Sequence, residues 1–227
     1  MLGNQMRATI VVTSYNLPKS LQLSTRSAMN QSYDDLEIIV ADDNSSDPRM
    51  PAVLERLSKE PNVTVFQSAV TDEERAHKAR YATMINAAVR EYSMGDYLFF
   101  LPDDDIFLHN KVLRHVAAME ANKWDVSYSS QAIFRRGEHV SNRIANEVLT
   151  VGYNVVDHGQ VCVTRNAFDA VNGWPDDAKY WSGADAYFWN RLTDAGYLFH
   201  PIKEVLCIKN ERDGVQSKVF SGRKPWE

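Results

Sequence analysis

Three consecutive carboxylates, Asp103, Asp104 and Asp105, follow directly on the apolar run 97–101 of this 227-residue chain. Three such groups side by side cannot all stay ionised without a cation or strong hydrogen-bond donors beside them. A divalent cation would meet that need, because Mg²⁺ and Mn²⁺ favour one or two carboxylates plus substrate phosphates over an all-protein cage. Two other polar segments also follow apolar runs: Thr13-Ser14-Tyr15 and Asp42-Asp43-Asn44. Further on, Asp185 opens a helical pattern carried by Tyr187, Phe188, Arg191 and Leu192. The free N–H groups and dipole of a first helical turn favour a carboxylate there. Turns and helix caps use the same residue types, so each cluster has an ordinary structural reading beside the chemical one. Neither G-x-G-x-x-G nor G-x-x-x-x-G-K-[ST] occurs, so any phosphate must be neutralised by something other than a glycine loop.

The elements that must position these residues can be read from the hydrophobic pattern. Residues 8–13, 36–41, 63–66 and 97–101 are short apolar or β-branched runs, as strands covered on both faces are. Between them lie helical patterns over 19–30, around Val53, Leu54 and Leu57, and through Tyr81, Met84, Ile85, Ala88 and Val89. Such alternation predicts an α/β fold, a Rossmann-like, mostly parallel central sheet with helices on both faces. Ligands of such sheets sit beyond the carboxyl ends of the strands, which is where the three polar segments converge. The second half is less regular. A helix is expected over 110–121, strands over 126–134 and 160–164, a short helix from Arg165 that stops at Gly173, and a polar connection without clear structure over 135–151.

With 44% hydrophobic residues the chain can bury a large core, and no apolar run approaches the roughly 20 residues of a membrane-spanning helix. A net charge of −5 counts against nucleic acid as a partner. Cys162 and Cys207 have no metal-ligand spacing and read as reduced, buried thiols, in keeping with a cytoplasmic protein.

Taken together the motifs resemble the family 2 glycosyltransferases, inverting enzymes with a nucleotide-sugar-binding GT-A fold. The likeness rests on Thr9-Ile10-Val11-Val12-Thr13-Ser14-Tyr15-Asn16, on Asn30-Gln31-Ser32-Tyr33 leading into Asp42-Asp43-Asn44-Ser45-Ser46-Asp47, on the Asp triplet, and on Gly183-Ala184-Asp185 through Trp189-Asn190-Arg191-Leu192. It runs furthest toward the bacterial spore-coat polysaccharide glycosyltransferases, through Glu74-Arg75 and Lys78-Ala79-Arg80-Tyr81-Ala82. The resemblance implies one domain over 1–227, with a nucleotide-binding half (1–106) and an acceptor-binding half (107–227). Thr13 and Tyr15 would contact the nucleotide, Tyr15 stacking on the base. Asp43 would accept a hydrogen bond from the base, Arg75 would hold the base or phosphate side, and Asp103 would touch the ribose. Asp104 would bind the Mn²⁺ or Mg²⁺ cofactor with Asp105 beside it, and Asp185 would be the catalytic base. The donor would be a UDP- or dTDP-linked sugar and the acceptor a carbohydrate or another hydroxyl compound. Pro102 and Ala184 depart from the pattern, standing where many relatives carry acidic residues.

A sugar-phosphate nucleotidyltransferase is a rival reading, but it wants a basic, glycine-rich loop that residues 13–18 lack. A non-catalytic nucleotide-sugar binding module is another, kept open by Ala184. Asp157-His158 lies before a strand, either lining the acceptor side or serving structure. Trp174, Tyr180 and Trp181 offer flat faces to a sugar ring, whereas Trp189 reads as core. Lys209, Arg212 and Lys218 fall in a polar tail, either a lid over phosphates or a disordered end.

Overall fold

In the computed structural model, residues 6–152 and 155–211 are described. Strand β1 (Ala8–Ser14) buries Ile10, Val11 and Val12 completely, because apolar residues of both parities meet helices on both faces of the sheet. Helix α1 (Pro18–Met29) returns the chain to β2 (Leu36–Asp42), and α2 (Met50–Leu57) returns it to β3 (Val63–Gln67). After a one-turn α3 (Asp72–Arg75), α4 (Arg80–Ala87) runs into a π-helical turn over 88–92 and then β4 (Tyr97–Pro102). These four strands are parallel in the order β3-β2-β1-β4, and each crossover is helical, as parallel pairing requires.

Beyond β4 the sheet changes character. A two-residue β5 (Ile106–Phe107) and α5 (Lys111–Asn122) lead to β6 (Val126–Arg135), β7 (Glu138–Arg143), β8 (Val161–Thr164) and α6 (Arg165–Ala170). Helix α7 (Ala184–Asp194) and the long β9 (Phe199–Glu211) follow. β8 lies antiparallel between β4 and β6, β9 runs parallel to β6, and β5 pairs antiparallel with β9. The parallel expectation therefore holds for the first half, and the complete sheet is mixed, β3-β2-β1-β4-β8-β6-β9-β5 with β7 on β6. The polar segment 135–151 is corrected too. It contains β7, hairpinned to β6 through Arg136 and Gly137 at φ 53 and 83.

Alternation along β4 divides the core. Phe100 joins Trp174, Phe188 and Trp189 on one face, and Phe99 joins Phe107, Val112 and Cys162 on the other. α5 buries two polar groups in the second face: the Lys111 ammonium donates to Ser129 Oγ and the Gln160 carbonyl, both at 3.1 Å, and lies 3.2 Å from His115 Nε2. Among the described residues no helix is long and apolar enough to cross a membrane.

Candidate active site

The carboxyl ends of β1, β2 and β4 open on a cavity of about 480 Å³, lined in part by Thr13, Tyr15, Asp43, Arg75, Asp103 and Trp181. Its size suits a small-molecule ligand. The register explains the convergence, because Thr13 pairs with Pro102 and Ser14 with Asp42, so the next residue of each strand projects past the same edge. Two loop asparagines with positive φ, Asn16 at 56° and Asn44 at 53°, shape the rim, a conformation that Asn tolerates better than most residues. Asn16 Oδ1 accepts the N–H groups of Ser46 (2.8 Å) and Asp47 (2.9 Å), tying the loops after β1 and β2 together.

Neighbouring carboxylates then take different jobs. Asp42 is committed to its own loop, accepting from Ser45 Oγ at 2.6 Å and Gln67 Nε2 at 2.9 Å. Asp43 faces the cavity and is gripped by two guanidiniums: Arg80 donates through Nε (3.0 Å) and Nη2 (2.5 Å), and Arg75 donates through Nη1. The Arg75 guanidinium also lies 4.2 Å from the centroid of the Tyr15 ring, a cation–π stack. Arg75 thus engages both the flat ring of Tyr15 and the carboxylate of Asp43 at the cavity wall. Asp103, 8% exposed, accepts the Tyr15 backbone N–H at 3.0 Å and so fixes the turn that presents the tyrosine.

The Asp triplet fans out. Asp104 is half-buried and lines an adjoining cleft between α1, β5 and the β6–β7 hairpin. Asp105 turns into the protein, 2% exposed, where its Oδ1 accepts the Asn210 N–H at 2.9 Å. Burial, then the charges of Asp157 and Asp104, push the Asp105 carboxyl up to about 8, against the pull of Lys209. Asp157 is held the other way. Its burial opposes ionisation, yet Lys209, His158 and Arg143, the last at 3.5 Å, keep it well below the usual carboxylate range. Among the described residues no three His, Cys, Asp or Glu side chains gather as a cation cage. The donor chemistry at Asp104 fits a hard divalent ion shared with phosphate oxygens, which needs one or two carboxylates. Asp105, enclosed and bonded inward, does not fit as a second ligand.

Asp185 stands in the first turn of α7. Its Oδ1 accepts the Ala186 N–H at 2.9 Å, and its own N–H donates to the Tyr81 hydroxyl at 3.3 Å. Tyr81 also lines this cavity, so one side chain spans from it to the start of α7. His158 Nδ1 lies 3.8 Å from Asp185 Oδ2.

Thr13, Tyr15, Asp43, Arg75 and Asp103 are therefore brought together, with Asp185 reached through Tyr81, Asp104 in the next cleft and Asp105 inside. Sequence reasoning missed Arg80 as the second partner of Asp43. Its spacing of five from Arg75, across the break between two helices, carries no periodic signal. It also placed Lys209 in a tail, whereas Lys209 is a β9 residue bonded to Asp157; Arg212 and Lys218 lie outside the described residues. Trp174 presents no open face, being 1% exposed among Phe100, Phe188 and Trp189.

A parallel half-sheet with a cavity at its strand ends, continued by a mixed half with an aspartate at a helix start, is the architecture of a GT-A fold. The pattern of "Glycosyl transferase family 2" matches residues 9–161, and the chain belongs to that family. It is similar to protein CgeD of Bacillus subtilis, 33% identical over 211 residues, covering 88% of this chain and 49% of that one. It is also similar to the Escherichia coli UDP-Glc:alpha-D-GlcNAc-diphosphoundecaprenol beta-1,3-glucosyltransferase WfgD, 28% identical over 69% of this chain and 58% of that one. The chain thus spans roughly half to three-fifths of these relatives. Among solved structures, S. aureus TarS 1-349 in complex with UDP-GlcNAc superposes with a TM-score of 0.73 at 16% identity, over 92% of this chain and 60% of that one. The mannosyltransferase PcManGT from Pyrobaculum calidifontis, in complex with GDP-Man and Mn²⁺, superposes with a TM-score of 0.66 at 15% identity, over 91% and 57%. At these identities the structural likeness bears on the fold.

Proposed function

We propose that this chain is a glycosyltransferase that moves a sugar from a UDP- or dTDP-linked donor to an acceptor hydroxyl in one inverting displacement. The observation that carries the reading is the cavity into which three strand ends deliver Tyr15, Asp43 and Asp103 and α3 delivers Arg75, while Tyr81 joins it to Asp185. Tyr15 stacks on the base, Asp43 and Arg75 read its edge, Thr13 contacts the nucleotide and Asp103 takes the ribose. Asp185 accepts the proton of the acceptor hydroxyl as that oxygen attacks the anomeric carbon from the face opposite the diphosphate. The bond from carbon to the diphosphate oxygen breaks as the new one forms, so the configuration inverts and no covalent enzyme nucleophile is needed. A divalent cation, Mn²⁺ or Mg²⁺, would be held by Asp104 and would stabilise the negative charge of the leaving diphosphate. Residues 1–106 serve the donor and 107–227 the acceptor, a carbohydrate or another hydroxyl compound. The two free, buried cysteines suit a reducing compartment such as the cytoplasm.

The test has two arms. UDP, dTDP and GDP are titrated with and without Mn²⁺ while thermal unfolding is followed, since a ligand that binds only the folded chain stabilises it by about 2.7 kcal/mol at a hundred times its Kd. Stabilisation by UDP or dTDP that depends on metal, and loses that dependence in Asp104→Ala, is expected. A panel of UDP- and dTDP-sugars is then assayed for turnover. Asp185→Asn should abolish turnover and keep the nucleotide stabilisation; unchanged turnover in that variant refutes the assignment of the base.

A further inference from the structure

Asp185 is well placed as a base but poorly restrained by its own helix. Its Oδ1 is tied to the Ala186 N–H, a local contact that any first-turn carboxylate can make. The second oxygen, Oδ2, faces His158 Nδ1 at 3.8 Å. That imidazole is itself held on several sides. It stacks on Tyr81 with 6.0 Å between ring centroids and an interplanar angle of 19°, and it meets the edge of Trp174 at 5.8 Å and 85°. Its backbone sits in a 3₁₀ turn, His158–Gln160, whose first N–H groups are capped by Asp157 while Gln160 reaches back to the Asp157 N–H at 2.9 Å. Nδ1 is closed off from solvent and makes no hydrogen bond among the described residues. A buried polar atom left in that state costs about 1–3 kcal/mol, so a carboxylate within reach is a strong attractor.

We infer that His158 is a positioning residue, a half-buried imidazole whose enclosed Nδ1 fixes the aim of Asp185 by pairing with the carboxylate oxygen its own helix leaves free. The inference rests on the reading of Asp185 as the base. The same Tyr81 ring that packs on His158 carries the hydroxyl that accepts the Asp185 N–H, so Tyr81 anchors the Asp185 backbone while His158 faces its carboxylate. Four titratable groups surround the imidazole: Asp157 on its own turn, Asp185 on α7, Tyr81 on α4 and Lys209 on β9. Burial disfavours the imidazolium, but Asp185 and Asp157 outweigh both burial and Lys209 and raise the His158 pKa above its ordinary value. A helix cap alone would not require this imidazole, and that difference makes the inference testable.

The decisive measurement is an NMR titration of the histidine ring protons in the native chain, with His158 assigned by its absence in His158→Gln. In Asp185→Asn, which leaves the packing of the imidazole alone, the His158 midpoint should fall by about one pH unit, the size expected for losing a neighbouring opposite charge. An unmoved midpoint overturns the pairing. A kinetic arm follows hydrolysis of whichever donor sugar the native chain turns over. His158→Gln should lower kcat roughly tenfold to a hundredfold, the scale of a misplaced reacting group, with donor KM within about twofold and UDP stabilisation retained. Loss of UDP stabilisation in that variant, or an unchanged kcat, overturns the positioning role. Should the native chain bind no nucleotide, the proposed function falls, while the NMR arm still decides whether the two side chains pair.

Discussion

Replacing Asp43 by alanine probes the junction on which the strand-end cavity depends. The substitution leaves Arg75 and Arg80, 12% and 14% exposed, side by side without their shared anion. Breaking a buried ion pair costs about 3–5 kcal/mol, because the remaining charge is desolvated and unpaired. Here two like charges remain, but each keeps some water and Arg75 also stacks on Tyr15, which places the cost near the lower end, about 3 kcal/mol. For a chain of this size each kcal/mol is about 2–4 °C in Tm, so a fall of roughly 10 °C is expected. Urea unfolding of the native chain, Asp43→Ala, Arg80→Met and the double variant measures it. The double variant removes one of the two cations that share Asp43 and should recover stability, giving a coupling energy above about 1 kcal/mol. A loss in Asp43→Ala below about 1 kcal/mol, or strict additivity, would show that the guanidiniums do not depend on Asp43 and would refute the reasoning. The same variant should lose stabilisation by UDP if Asp43 accepts from the base edge as proposed.

Two further outcomes follow from buried groups. Burial, then the charge of Lys111, depresses the His115 pKa well below 6.5, so below about pH 6.5 the unfolded chain takes up a proton that the native core resists. Native stability should therefore fall as pH drops through that range, and His115→Gln should flatten the slope. His158 acts with the opposite sign, contributing stability at low pH that is lost as pH rises through its raised folded value, so the comparison of the two chains isolates His115. The thiols of Cys162 and Cys207 are fully buried, and burial pushes Cys207 up to about 11. Ellman's reagent should react with neither at neutral pH until denaturant is added; prompt labelling of the native chain would contradict the packing.

The strand ends were legible because β1, β2 and β4 are apolar on both faces and then break abruptly into polar residues, a contrast that survives in one dimension. The separate destinations of Asp103, Asp104 and Asp105 were not. All three follow the same strand, and which one enters the cavity depends on a turn closed by contacts to Tyr15 and Asn210, the latter more than a hundred positions away. β7 escaped notice because its residues are nearly all exposed, so it lacks the buried face that produces alternation. His158 and Tyr81 become meaningful only when α4 and α7 are packed together, a long-range fact that local spacing does not hold. Lys209 looked like tail because the polar residues around it occupy a half-exposed strand end.

That strand end has a consequence for the order in which the molecule can be built. During synthesis, which proceeds at about 5–20 residues per second, the parallel half over residues 8–102 is made well before β9 emerges. Asp105 and Asp157, made next, precede the ammonium of Lys209, which arrives with β9 and bonds to Asp157. Of the cations that offset Asp157, Arg143 and His158 come earlier in the chain, and the Lys209 ammonium, which also faces Asp105, is supplied by the last described strand. The late strand thus acts as a latch: the parallel half can form early, and the charge balance of the acidic interior behind it is completed when β9 pairs with β6.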